Sequence, residues 1–185
     1  VFGRPALWVA QLVEAPQAAA RGHAAMAAQL RNEAMDAAPA TPGTADGTPF
    51  AWIADADSRL GPVLEAVING RYSWVPFSAL VKVTFEAPAD LRDLVWTAAQ
   101  LEFVNGGATV ALVPTRYPGT AAEADDALRL ARRTDWLPLA EPHFRGLGQR
   151  VFTTDTADLG LLQARELTLQ PAPVADDDGT PDAAV

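Results

Sequence analysis

Apolar residues recur at helical spacing at the start of the chain and at alternate positions after it, and this change of period divides the sequence in two. From Pro5 to Ala15, Trp8, Leu12 and Ala15 share one helical face, and Pro16 is predicted to close that helix or to open the next element. Residues 17–38, QAAARGHAAMAAQLRNEAMDAA, are dense in strong helix formers and align Ala19, His23, Met26, Leu30 and Ala34 in one stripe. Two helices with so short a connection predict an antiparallel hairpin. Residues 39–49, PATPGTADGTP, with three prolines and two glycines, predict a linker or boundary loop.

Beyond it the period is two. Phe50 to Ala54 predict a short strand and DADSRLGP a turn. VLEAVI, Asn69-Gly70 and RYSWVPF predict a type I′ hairpin, because a two-residue Asn-Gly loop between alternating runs fits the twist of paired strands. That loop sets Ile68 opposite Arg71, Val67 opposite Tyr72 and Glu65 opposite Trp74, so one face carries Val63, Glu65, Val67, Tyr72 and Trp74. Residues 80–87 predict another strand, and Pro88 begins the turn into DLRDLVW. Residues 100–117 predict a second hairpin around Asn105-Gly106-Gly107, and residues 121–133 a short surface helix with acids early and bases late. The last predicted strands are 149–155 and 161–169.

About seven hairpin-linked strands after a helical appendage give an α+β fold. The parts are a helical hairpin over 1–40, a linker over 41–49, a mainly antiparallel, curled β domain over 50–170, and an acidic tail over 171–185. The hairpin, with Gly22 and its alanine-rich face, loosely resembles the end of a tetratricopeptide-like region, in which one unit cannot bury its own apolar face. A chain that opens on Val1 within a helical pattern is read as continuing a helical region that lies upstream.

Composition narrows the function classes. No run approaches 18 apolar residues and the start lacks the features of a signal peptide, so a soluble chain without a membrane partner is expected. Cysteine is absent, which removes disulfides, thiolate nucleophiles and sulfur-ligated zinc and makes the cytoplasm the expected compartment. The net charge of −9 argues against nucleic acid, whose phosphates require clustered Lys and Arg. Part of that charge lies in the tail, at Asp176, Asp177, Asp178 and Asp182, which composition predicts to be disordered.

Candidate chemistry is sparse. Asp55-Ala56-Asp57 has the two-carboxylate spacing with which some transferases hold a divalent cation, and with Glu65 it defines an alternative reading as a metal-dependent hydrolase or transferase. A hard cation needs several oxygen ligands, so a turn whose backbone donors the two acids satisfy is the simpler reading. His23 and His143 have no companion at ligand spacing, and no serine lies in a Gly-x-Ser-x-Gly context. Gly146-Leu147-Gly148 lacks the third glycine and the lysine of a phosphate loop and reads as a tight turn. No cofactor is expected.

What remains is a set of opposite charges in apolar strands: Asp55, Asp57, Arg59, Glu65, Asp90, Arg92, Asp93, Arg116, Arg132, Arg133, Asp135 and Arg150. Glu65 shares its face with Tyr72 and Trp74, so it is expected to be desolvated and to need an arginine, with Arg59 and Arg116 the nearest candidates. The set forms either a structural network, closed by Arg92, Arg116 and Arg150, or a docking surface. Trp8 and Leu12 are candidates for an apolar groove that takes a helix.

The long segments FAWIADADSRLGPVLEAVINGRYSWVPF, PADLRDLVW, NGG followed by LVPTRYPG, ARRTDW and GLGQR, in this order and at these intervals, resemble the ImpE family, also called SciE-type or TagJ proteins. These are accessory proteins of bacterial type VI secretion. The resemblance covers about residues 50–170. It implies a helical, tetratricopeptide-like region before a β-rich domain and a non-enzymatic role. It also implies a partner, the amino-terminal helix of the small contractile-sheath subunit, and a connection to sheath assembly or to the ClpV unfoldase that recycles contracted sheaths. It assigns no binding residue and no oligomeric state.

Overall fold

In the computed structural model, which describes residues 6–171, Pro16 does not end the first helix. Helix α1 runs Leu7–Ala20 through it. A proline inside a helix forgoes one backbone hydrogen bond, and the buried Leu12, Ala15 and Ala18 hold the segment helical across that loss. The chain reverses instead at Gly22, whose φ of +82° is left-handed. There the His23 N–H donates to the Ala18 carbonyl at 2.9 Å and the Gly22 N–H to the Ala19 carbonyl at 3.0 Å, the two bonds of a Schellman motif. Helix α2, Ala24–Ala37, packs back on α1, and Gln11 donates to Glu33 across the pair at 2.8 Å. Its buried residues are Ala27, Arg31 and Ala34, so of the predicted α2 stripe only Ala34 is buried and Met26 is exposed. An alanine-rich helix has little contrast between its faces, so its sequence does not fix which face is buried.

Residues 41–49 are not a linker. Strands β1, Gly43–Ala45, and β2, Thr48–Phe50, form a hairpin at one edge of the main sheet. Asp46 and Gly47 turn it with φ of 47° and 83°, and Asp46 Oδ1 accepts the Glu166 N–H at 2.7 Å. Pro49 lies on the edge strand, where a missing N–H leaves no ladder bond unmade.

The strands that follow are β3, Ile53–Asp55; β4, Val63–Ile68; β5, Arg71–Pro76; β6, Leu80–Phe85; β7, Trp96–Phe103; and β8, Ala108–Pro114. A four-residue helix α3, Asp126–Arg129, capped by Asp125, replaces the longer one expected over 121–133. Next come β9, Thr134–Ala140; β10, His143–Gly148; β11, Val151–Thr154; β12, Asp158–Gly160; and β13, Glu166–Leu169. Among the described residues every ladder is antiparallel.

An eight-stranded sheet has the order β2-β1-β13-β6-β7-β8-β4-β5, accompanied by the three-stranded β12-β11-β3 and the hairpin β9–β10. The Asn69-Gly70 hairpin has the predicted register, and both turn residues have positive φ. The β9–β10 hairpin had no expected counterpart, since Pro138, Pro142 and three glycine or charged positions in HFRGLG hide its alternation.

The main core joins one face of the large sheet to the three-stranded sheet, where Phe152 stacks on Phe85 and meets Phe77 edge-on, at centroid distances of 5.9 and 5.8 Å. A second cluster of Trp8, Leu12, Ala34, Leu60 and Val63, with Trp74 against it, seats the helical hairpin on the opposite face of β4–β5. Trp8 and Leu12 are therefore core, 7% and 0% exposed, and do not line an open groove. The acidic tail beyond residue 171 lies outside the described residues.

Candidate functional site

The ladder between β4 and β8 is two pairs long and ends at Val67 opposite Leu112. Where the strands part, Arg150 ties them together. Its Nε donates to the Pro114 carbonyl at the end of β8 at 2.8 Å, while its two amino groups donate to Glu65 on β4 and to Asp55 at the end of β3. Arg150 and Asp55 have fully buried side chains and Glu65 nearly so. The Tyr117 ring centroid lies 5.2 Å from the guanidinium carbon, and the Tyr117 hydroxyl donates to Asp55 Oδ1 at 2.9 Å while accepting the Val151 N–H at 3.0 Å. Burial alone would lower the Arg150 guanidinium, but Asp55 and Glu65 outweigh it and leave it raised. Burial pushes the Asp55 carboxyl up to about 6 against the opposing pull of Arg150, and it raises Tyr117 as well.

Asp55 and Asp57 shape the turn, as their spacing suggested. Asp55 Oδ1 accepts the Asp57 N–H at 2.9 Å. Asp57, also fully buried, accepts the Arg59 N–H at 2.9 Å, the Arg59 side chain at 2.5 Å, and the Gly146 N–H on β10 at 2.9 Å. The three carboxylates of the metal reading thus spend their oxygens on arginines, two tyrosines and backbone donors. Among the described residues no group of three or more His, Cys, Asp or Glu is placed to hold a metal ion.

Glu65 is paired with Arg150, not with Arg59 or Arg116. Arg116 donates to the Arg129 carbonyl, Arg92 pairs with Asp90 at the surface at 2.7 Å, and Asp93 Oδ2 accepts the Ala89 and Asp90 N–H groups of its own loop. Arg92, Asp93 and Arg116 are therefore outside the network. Tyr117 and Gly146 belong to it and were not anticipated: a Cβ on Gly146 would stand 2.2 Å from the Tyr117 ring, so the ring lies flat on that glycine. The glycine itself was the available signal, since glycine inside a strand marks a close approach.

From Glu65 the network reaches the surface. Glu65 Oε1 accepts the Tyr72 hydroxyl at 2.8 Å, and the Tyr72 oxygen accepts the Trp74 indole N–H at 2.7 Å. Burial, with Glu65 alongside, pushes Tyr72 up to about 12. These two rings form one wall of an open groove of about 920 Å³. The other wall is α1, which presents Val9, Val13 and Pro16 to the groove, with Glu14 and Arg21 beside them. Val13 and Tyr72 are 41% and 62% exposed. The buried charges thus fix the position of an aromatic wall, and the wall faces an apolar trough alongside a helix. No described helix is long and apolar enough to cross a membrane.

The profile of the ImpE protein family matches residues 47–168. The type VI secretion system accessory component TagJ of Pseudomonas aeruginosa is 52% identical over 171 residues, which are 92% of this chain and 59% of that protein. A crystal structure of a Vibrio parahaemolyticus protein shares the fold with a TM-score of 0.83 at 21% identity, over 94% of this chain and 65% of that one. The chain thus spans 59% of the length of the curated relative it matches.

Proposed function

This chain belongs to the ImpE family, and from that premise we propose that it is a non-enzymatic adaptor of type VI secretion. It binds the amino-terminal helix of the small contractile-sheath subunit and works in the cytoplasm, in sheath assembly or in ClpV-dependent recycling. The helical hairpin is then the last unit of a tetratricopeptide-like region.

The groove between α1 and the Tyr72–Trp74 wall carries this reading. It is apolar and open along one helix, and an amphipathic helix lays its apolar stripe into such a groove. The accessory role in the name of the Pseudomonas relative supports the same reading. The carboxylates that a hydrolase would use are instead saturated by arginine and backbone donors.

A fluorescently labelled peptide of the sheath subunit's amino-terminal helix, titrated with this chain and followed by anisotropy, is expected to saturate in the micromolar range, about 8 kcal/mol. Val13→Asp, which puts a charge in the trough without touching the core, is expected to weaken binding by about tenfold or more. Absence of saturation at millimolar protein refutes the reading, and binding unchanged by Val13→Asp moves the site elsewhere.

A further inference from the structure

We infer that the groove takes its helix antiparallel to α1 and selects one in which an acidic residue is followed seven positions later by a basic one. The inference rests on the helix-docking reading and adds the polarity and charge order of the ligand.

Glu14 and Arg21 flank the groove on the same side of α1, seven residues or about 10 Å apart along its axis. Neither has an ion-pair or side-chain hydrogen-bond partner among the described residues, whereas the aromatic groups of the opposite wall, Tyr72 and Trp74, are both bonded. A ligand helix along this wall meets Glu14 near one end and Arg21 near the other. Antiparallel to α1, its amino-terminal half faces Arg21 and its carboxy-terminal half faces Glu14. Complementary charges are then an acid early and a base late, the order that the ligand's own helix dipole also favours. A parallel ligand would need the reverse order, against its dipole, and would align its dipole with that of α1. Apolar residues at third and fourth positions of the ligand meet Pro16 between the two charges and Val13 and Val9 beyond the base.

Two synthetic 20-residue peptides of identical composition test this. Both carry leucines at three- and four-residue spacing and one Glu and one Lys seven positions apart, with Glu first in one and Lys first in the other. Both are titrated against the chain by anisotropy, with its mass measured by light scattering before peptide is added. The Glu-first peptide is expected to bind roughly tenfold tighter at low salt, a sum of two exposed pairs gained and two repulsions avoided. Glu14→Lys combined with Arg21→Glu is expected to invert the preference, and 1 M NaCl to reduce it several-fold. Equal binding of the two peptides overturns the inference and leaves the docking reading standing. Failure of both to bind, while the sheath-subunit helix binds, overturns it too and places that helix on another surface. Because α1 itself carries an acid and then a base seven positions on, a dimer in the absence of peptide that dissociates with Glu14→Lys would assign the groove to a second copy, which also overturns it.

Discussion

Arg150→Met is expected to cost about 3–5 kcal/mol of folding stability, since it leaves Asp55 and Glu65 as buried carboxylates with no cation between them. That is a large share of the roughly 5–15 kcal/mol that holds a domain together. It also removes the donor to the Pro114 carbonyl at the point where β4 and β8 part. The loss belongs to the unpaired charges rather than to the missing contacts. Adding Asp55→Asn and Glu65→Gln to Arg150→Met should therefore recover much of it, because a buried ion set replaced as a whole is often tolerated where a broken one is not. Urea denaturation of the single and triple variants checks both halves. A single variant within about 1 kcal/mol of the parent would mean that the carboxylates find other partners or take up protons at little cost.

The second large effect is steric. Gly146→Ala places a methyl group 2.2 Å from the Tyr117 ring, and that ring can retreat only by giving up its bonds to Asp55 and Val151. About 2–3 kcal/mol of destabilisation is expected, the upper part of the range usual for overpacking a filled core. If the ring is the cause, Gly146→Ala should cost far less in a Tyr117→Ala background, so that the two substitutions are strongly non-additive in a double-mutant cycle. Equal cost in both backgrounds would locate the damage in β10 itself.

These residues also show what the sequence could and could not reveal. The Asn69-Gly70 hairpin was legible to the register of its pairs because its determinants lie within a dozen residues. The burial of Glu65 and its need for an arginine followed from the same local pattern. The identity of that arginine did not, since Arg150 is 85 residues away and arrives only because Phe152 pairs with Asp55 across β11 and β3. Sequence spacing favoured Arg59, which closes on Asp57 instead.

Asp46-Gly47 carries the turn signal of the edge hairpin, but three nearby prolines give the same stretch the composition of a linker. Gly146 and Gly148, expected in a turn, are strand residues, one pressed by Tyr117 and the other with a φ of 92°. Trp8 and Leu12 stand out in the sequence by their size and spacing. The same property makes them core, and the groove falls to their neighbours Val9 and Val13, one position further round α1.

The network and the groove form one construction. Arg150 fixes Glu65, Glu65 fixes the Tyr72 hydroxyl, and Tyr72 fixes the Trp74 indole, so that buried charges hold a partly exposed aromatic wall in one rotamer. A wall ordered before binding spares the ligand the entropy of ordering it, which is how preorganisation raises affinity without adding contacts.

Hydrogen–deuterium exchange on the chain with and without the sheath-subunit helix tests the central claim most directly. Slower exchange confined to α1 and β5, with the Asp55–Arg59 turn and β11 unchanged, is the expected result, with the groove as docking site and the network as its support. Protection centred on that turn or on the β9–β10 hairpin, with α1 and β5 unaffected, would contradict it.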